Sequence, residues 1–108
     1  MRLDIGGHTT VDGPTAGRVE QVLRSMGEQD DPYVSLDSAD QYYVMAMPSE
    51  FVGEFWDLEF REGSAERHYA AADGRPIDEV VEVFLSYLNG DNVWRTRVEW
   101  KRTEEGEL

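Results

Sequence analysis

The longest helical pattern in this chain lies in residues 76–88, where apolar side chains recur every three or four positions. This spacing puts the apolar residues on one stripe of a helix. Pro76 suits the first helical position, and Asn89-Gly90 favours a left-handed stop after the last turn. The pattern therefore predicts a helix that buries one side, through Ile77, Val80, Val81, Phe84, Leu85 and Leu88.

A second pattern, with a period of two, follows in residues 93–101. Apolar or weakly polar residues alternate there with charged ones, as in a strand that has one buried and one solvent-facing side. We therefore predict a strand whose buried side carries Trp94, Thr96, Val98 and Trp100 and whose outer side carries Arg95, Arg97, Glu99 and Lys101.

The beginning of the chain predicts a short strand followed by a helix. Residues 2–5 form the strand candidate. After a loop, Pro14 lies near the start of a helix that has Asp12 or Thr15 as its N-cap. We expect this helix to end at Gly27.

The middle of the chain predicts four antiparallel strands. Residues 38–40 are short enough to join the first two as a hairpin. The second strand is apolar on both sides, so we expect it to be central, with its second side covered or lying at a contact surface. The four strands lie at residues 33–37, 41–47, 54–61 and 65–71.

The strand at 54–61 alternates between two kinds of side chain. Trp56, Leu58 and Phe60 share one side, which we expect to be buried. The same alternation puts Phe55 on the outer side with Asp57 and Glu59. One interpretation is an exposed aromatic side chain surrounded by charged residues, which is typical of interface hot spots. The other is an edge residue that packs locally.

These elements follow the order βαββββαβ and predict an α+β fold. The economical architecture is a mainly antiparallel sheet of five or six strands with two helices packed on one face. No linker or repeat divides the chain, so we expect residues 1–108 to form a single domain. The acidic residues at about 103–108 are expected to be a short disordered tail.

Composition narrows the class of protein further. The chain has no cysteine, which removes disulfides and thiolate chemistry. No apolar run approaches the roughly 20 residues of a membrane span, and the first residues do not resemble a signal peptide. We therefore expect a cytoplasmic protein that does not bind membranes.

Charge is the strongest compositional feature. The formal net charge is −13, and residues 28–62 hold ten acids and one base, Arg61. Residues 93–102, by contrast, are mainly basic, so we expect a polarised molecule. Such a negative field would repel nucleic acid and attract a basic partner, or it would only keep the chain soluble.

Candidate catalytic and ligand residues are sparse. His8 and His68 have no metal-binding spacing near them, and each is expected to be a surface or partly packed side chain. Asp57 and Glu59 form a carboxylate pair on one strand side, but a solvated sheet surface gives the same pattern. We predict no catalytic residues, no metal and no cofactor.

The closing part of the chain resembles the Imm1-type immunity-protein family of bacterial polymorphic toxin systems. The strand run at 33–72 has the order associated with that family. The residues that carry the resemblance are Pro76, the pattern Ile77-x-x-Val80-Val81-x-x-Phe84-Leu85, then Asn89-Gly90 and Val98-Glu99-Trp100. The resemblance implies a small cytoplasmic protein that binds a cognate toxin domain, often a nuclease or nucleic-acid deaminase, and blocks its active site.

The leading hypothesis is therefore an immunity protein, not an enzyme, that binds a basic toxin domain but not nucleic acid and is a monomer or weak dimer when free. Two other classes stay open: an acidic regulatory or chaperone-like module for another basic protein, and a small enzyme of unknown reaction. Under the leading hypothesis the partner-binding surface comes from the acidic middle of the chain: Asp37, Asp40, Tyr42, Glu54, Phe55, Asp57 and Glu59.

Overall fold

The computed structural model describes residues 1–25, 33–48 and 55–103, which form a mostly antiparallel sheet and three α-helices. The strands are β1 (Arg2–Ile5), β2 (Thr9–Asp12), β3 (Val34–Ala39), β4 (Tyr42–Pro48), β5 (Phe55–Glu62), β6 (His68–Ala71), β7 (Arg75–Pro76) and β8 (Trp100–Arg102). The helices are α1 (Ala16–Ser25), α2 (Ile77–Asn89) and α3 (Val93–Arg97), with a short 3₁₀ helix at Ala65–Arg67. The predicted α+β class and antiparallel sheet are thus confirmed.

The sheet has the strand order β2-β1-β3-β4-β5-β6-β8, and β7 pairs separately with β5. Leu3, Leu36, Val44 and Phe60 stand opposite one another on four neighbouring strands. All four are buried, because alternate residues of a strand point to the same side of the sheet. Val19 and Leu23 of α1 and several residues of α2 join the same core. We call this side of the sheet the covered face.

Helix α2 matches its prediction closely. Val80 and Phe84 are fully buried on its apolar stripe. Gly90 adopts a left-handed conformation, with a φ of 79°, and its backbone N–H donates to the carbonyl of Tyr87 at 3.1 Å. Pro76 is the N-cap rather than the first helical residue, and it also pairs with Phe55 as part of β7. The chain therefore passes directly from the sheet into the helix.

Helix α1 begins where the sequence indicates. The hydroxyl of Thr15 accepts a hydrogen bond from the backbone N–H of Arg18 at 3.2 Å, so Thr15 caps the first turn. The predicted end of this helix at Gly27 lies outside the described residues. Within the described part of the chain, no helix is long and apolar enough to cross a membrane.

The predicted strand at 93–101 is wrong over most of its length. Residues 93–97 form α3, because its first turn is capped from the end of α2: Asp91 Oδ1 accepts the backbone N–H of Val93, and Ser86 Oγ accepts that of Trp94, each at 3.0 Å. The Trp94 ring then packs edge-on against Phe60, with 4.8 Å between centroids.

The strand count of the prediction was also too low. Gly6 and Gly7 both have positive φ and turn the chain back, so that β2 pairs with β1 as a hairpin. Strand β2 escaped prediction because it is an exposed edge strand without apolar alternation. The predicted strand at 65–71 is divided between the 3₁₀ helix and β6. Apart from Thr103, the predicted acidic tail lies outside the described residues.

Candidate functional site

The second side of the sheet, which we call the open face, points away from the helices. Within the described residues all three α-helices contribute buried side chains to the covered face, and no α-helix lies over the open one. Cross-strand register defines the members of the open face: Arg2, Asp4, Ser35, Asp37, Tyr43, Met45, Met47, Phe55, Asp57, Glu59, Arg61, His68, Ala70 and Lys101.

An apolar stripe runs along the central strand of the open face. It consists of Tyr43, Met45 and Met47, which are all half-buried and which alternate with the core residues of β4. Carboxylates stand directly opposite on the neighbouring strands: Asp37 faces Tyr43, and Asp57 faces Met47. Apolar atoms and negative charge are therefore interleaved on one surface.

The predicted partner-binding residues divide into several locations. Asp37, Phe55, Asp57 and Glu59 lie on the open face. Asp40 is exposed in the turn between β3 and β4. Glu54 lies outside the described residues, and Tyr42 does not join the others.

Tyr42 points toward the helix side of the sheet. It pairs across the strands with Glu62 and shares its side of β4 with the buried Val44 and Ala46, because alternate residues of a strand point to the same side. Its ring lies over Gly63, where an added Cβ would come within 2.9 Å of the tyrosine oxygen. Tyr42 is 43% exposed, but it belongs to a different surface from Asp57.

Glu59 belongs to an internal network rather than to the solvent. The carboxylate oxygen of Glu59 lies 2.6 Å from His68 Nε2, and His68 is only 4% exposed. Arg61 Nε donates to His68 Nδ1 at 3.0 Å, and Arg61 Nη1 donates to the side-chain oxygen of Gln41 at 2.6 Å. This chain of hydrogen bonds links β5, β6 and the β3–β4 turn.

Tyr43 lies beside the network. Its ring centroid is 6.1 Å from that of His68 in an edge-on arrangement, and the guanidinium carbon of Arg61 lies 5.9 Å over the ring. Burial raises the pKa of the Tyr43 hydroxyl, so the ring is held neutral. The network thus fixes the position of one end of the apolar stripe.

Asp37 is an open-face carboxylate whose charged form is disfavoured. Burial raises its pKa above the ordinary value, although the hydrogen bond from Ser35 Oγ at 2.9 Å acts in the opposite direction. The nearby Asp4 raises the pKa further. A positive group placed against Asp37 would therefore relieve an unfavourable interaction.

A cleft of about 460 Å³ opens beside Asp37. Carboxylates from three elements line it together with one base, Arg2, whose Nε pairs with Asp12 at 3.1 Å. A space of this volume can hold a long basic side chain. Its lining residues are Met1, Arg2, Asp12, Asp37, Ser38, Ala39 and Asp40.

Ion pairs weaken the predicted separation of charge between the acidic middle of the chain and the basic residues 93–102. Arg95 donates to both carboxylate oxygens of Glu62, at 2.7 and 2.9 Å, and Arg97 pairs with Glu82. These arginines are therefore partly neutralised rather than forming a basic patch. Five of the ten acids between residues 28 and 62 lie outside the described residues.

The histidines were the first candidates for proton transfer. His8 is exposed in the β1–β2 turn, with Nδ1 2.8 Å from the Thr9 hydroxyl. Both ring nitrogens of His68 are hydrogen-bonded to protein side chains, Nδ1 to Arg61 and Nε2 to Glu59. Among the described residues, no group of three or more His, Cys, Asp or Glu side chains is placed to hold a metal ion.

Sequence reasoning passed over Met45, Met47 and the contacts of His68. The signal for the methionines was available, because strand 41–47 is apolar on both sides and one of those sides had to face away from the core. No local signal connects His68 to Glu59 and Arg61, since the pairing depends on the register across the β5–β6 hairpin.

Comparison of the chain with protein-family models, with curated proteins and with solved structures finds no match in any of the three.

Proposed function

We propose that this protein is an immunity protein that binds a basic toxin domain, a nuclease or nucleic-acid deaminase, and occludes its active site. The observation that carries the proposal is the open face, where the apolar stripe of Tyr43, Met45 and Met47 is bordered by Asp37 and Asp57. The protein supplies no catalytic group or cofactor in this role and acts in the cytoplasm.

The stripe has the composition of a protein interface. Tyrosine and methionine are enriched at the centres of interfaces, while charged residues are common at their rims. Phe55, which is 39% exposed at the start of β5, extends the apolar surface beside Asp57. A partner with apolar side chains and flanking lysines or arginines would match both parts of this surface.

The charge supports a basic partner. An enzyme that acts on nucleic acid needs a positive surface to hold phosphates. A protein of net charge −13 would be steered toward that surface and would compete with the nucleic acid for it. The same charge disfavours association of two copies, which supports a monomer or weak dimer in the free state.

The resemblance of the C-terminal part of the chain to Imm1-type immunity proteins supports the choice of a toxin as the basic partner. An acidic regulatory or chaperone-like module would share the charge and the open face. The two differ in what the partner does alone, since only a toxin arrests growth.

The test begins with recovery of the tagged protein from its native cells at low and at moderate salt. A basic chain that is recovered is then expressed in a second host, alone and together with this protein. We expect the basic chain to stop growth when alone and to be harmless in the presence of this protein. A harmless partner, or toxicity that this protein does not relieve, contradicts the proposed function.

The contact surface is tested by Asp57→Lys, with Asp78→Lys at the start of α2 as a control that has the same change in charge, since Asp78 is exposed and its partner Arg24 keeps the bond to Glu20. We expect Asp57→Lys to lower the association rate of the toxin domain roughly fivefold at low salt, since charge complementarity acts mainly on that rate. Glu59 is unsuitable for this test, because its replacement would break the bond to His68. Equal rates for the two variants would exclude the open face as the contact surface.

A further inference from the structure

The tautomer of His68 follows from its two partners. An arginine Nε–H can only donate, so His68 Nδ1 must be the unprotonated nitrogen that accepts from Arg61 at 3.0 Å. The proton of the neutral ring is then on Nε2, which donates to the Glu59 carboxylate at 2.6 Å. Each ring nitrogen therefore has a defined role, and the side chain is nearly inaccessible to solvent.

Arg61 is held in place by this acceptor. Its Nε is bonded to His68, its Nη1 to Gln41, and its guanidinium lies over the ring of Tyr43. Arg61 is a cation on a face whose carboxylates include Asp37 and Asp57. Without the two acceptors, its long side chain would be able to swing across β4 toward Asp37, since Tyr43 stands between Arg61 and Asp37 in the sheet.

We propose that His68 is a positioning residue for the open face: its neutral ring anchors Arg61, and protonation of Nδ1 releases Arg61 and weakens the binding of a basic partner. The proposal goes beyond the immunity function and rests on it only for the identity of that partner. The anchoring itself is a property of the free protein.

The chemistry of release is simple. A proton taken from solvent at Nδ1 turns the acceptor into a donor, so the bond from Arg61 is lost and two positive groups face each other. Glu59 still accepts from Nε2 and keeps the charged ring in place. Arg61 is then free to turn toward Asp37, which lowers the attraction of the open face for a basic partner.

The charged and titratable groups around His68 are of both signs. In the described part of the chain, the carboxylate of Glu59 contacts Nε2 of the ring, and the guanidinium of Arg61 on the same strand contacts Nδ1. Tyr43 on β4 contributes a neutral hydroxyl. Arg67, which precedes His68, and Lys101 of β8, which stands opposite Ala70 on the open face, add positive charge.

The first test uses the free wild-type protein and NMR spectroscopy. The ring carbons of His68 and the Nε–H signal of Arg61 are followed from pH 8 to pH 5, the interval in which histidines usually change charge. We expect a slowly exchanging Arg61 signal that is lost with the same midpoint as the titration of His68. An Arg61 signal that is unchanged through that titration, or a ring that does not titrate in this interval, overturns the proposal.

The second test uses His68→Gln, because a glutamine amide can accept from Arg61 and donate to Glu59 but cannot be protonated. His8→Gln is the matched control. Affinity for the recovered toxin domain is measured at pH 7.5 and 5.5, and each variant is compared with the wild type at the same pH, so that the partner's own titration cancels.

We expect the wild type to lose roughly five times more affinity than His68→Gln over this pH interval. The reason is that only the wild type gains a buried positive charge and releases Arg61 at pH 5.5. His8→Gln should follow the wild type. Equal pH dependence of the wild type and His68→Gln overturns the role in binding. If His68→Gln does not fold, the measurement on Arg61 in the wild type decides the anchoring.

Discussion

The two faces of this sheet are built from alternate residues of the same strands, yet they are held together differently. On the covered face, Leu36, Val44 and Phe60 are buried against the helices by apolar packing. On the open face, a hydrogen-bonded network around His68 replaces that packing. One face therefore secures the fold, and the other can present side chains to a partner without weakening the core.

The carboxylates of the two faces differ in the same way. Glu62, at the end of the covered face, accepts two hydrogen bonds from Arg95, and these lower its pKa. Asp37 on the open face is half-buried, and burial together with the nearby Asp4 raises its pKa despite the opposing effects of the Ser35 hydrogen bond and of Arg2. The charge of Glu62 is thus satisfied internally, whereas Asp37 keeps an unfavourable interaction that an external cation would relieve.

The largest expected difference between the two faces is in the free energy of unfolding that is lost when a packed side chain is removed. Phe84→Ala removes a fully buried ring that packs on the covered face and should lower the free energy of unfolding by about 3–5 kcal/mol. Met45→Ala on the open face should cost about 1 kcal/mol, since the side chain is only half-buried. Urea denaturation of both variants measures the difference, and equal losses would mean that the open face is part of the core.

A smaller effect concerns the carboxylate of the covered face. Glu62→Gln should lower stability at pH 7 by about 1 kcal/mol, the upper end for a partly exposed ion pair, because two hydrogen bonds are lost. The folded pKa of Glu62 lies below its ordinary value of 4.5, so the stabilisation is present above that value and is lost as the pH falls through the folded pKa. Urea titrations at pH 7 and pH 3 should show the gap between variant and wild type closing at the lower pH.

The smallest effect concerns Asp37 and has the opposite sign. Because its folded pKa is raised, the native state favours the protonated carboxyl below the ordinary value of 3.8 and loses that contribution as the pH rises. Asp37→Asn should therefore leave stability at pH 7 unchanged or raise it by at most about 0.5 kcal/mol. In the same urea series, a clear loss at pH 7 that disappears at pH 3 would mean that Asp37 is held by a cation, as Glu62 is.

The sequence predicted those parts of the fold whose stability is local. Helix α2 has its apolar stripe and its glycine stop within 14 residues, so both could be read directly. Helix α3 could not, because its cap comes from Ser86 and Asp91, and its anchor is the contact of Trp94 with Phe60 on a distant strand. Strand β2 lacked a signal because an exposed edge strand buries little.

The candidate site was predictable to the same extent. Alternation correctly put Phe55, Asp57 and Glu59 on one side of β5. The side taken by Tyr42 was harder to assign, because both sides of β4 are apolar and the sequence does not show which one faces the helices. The hydrogen bond between Glu59 and His68 depends on the register between β5 and β6, which the sequence does not show.

The two methionines of the apolar stripe have a consequence for selectivity. A thioether side chain is unbranched and adaptable, so Met45 and Met47 can repack around partner surfaces of slightly different shape. The carboxylates beside them are fixed by strand register and cannot follow such changes. For any protein that docks here, discrimination between close variants of the partner would reside in the charged border, while the stripe would tolerate their divergence.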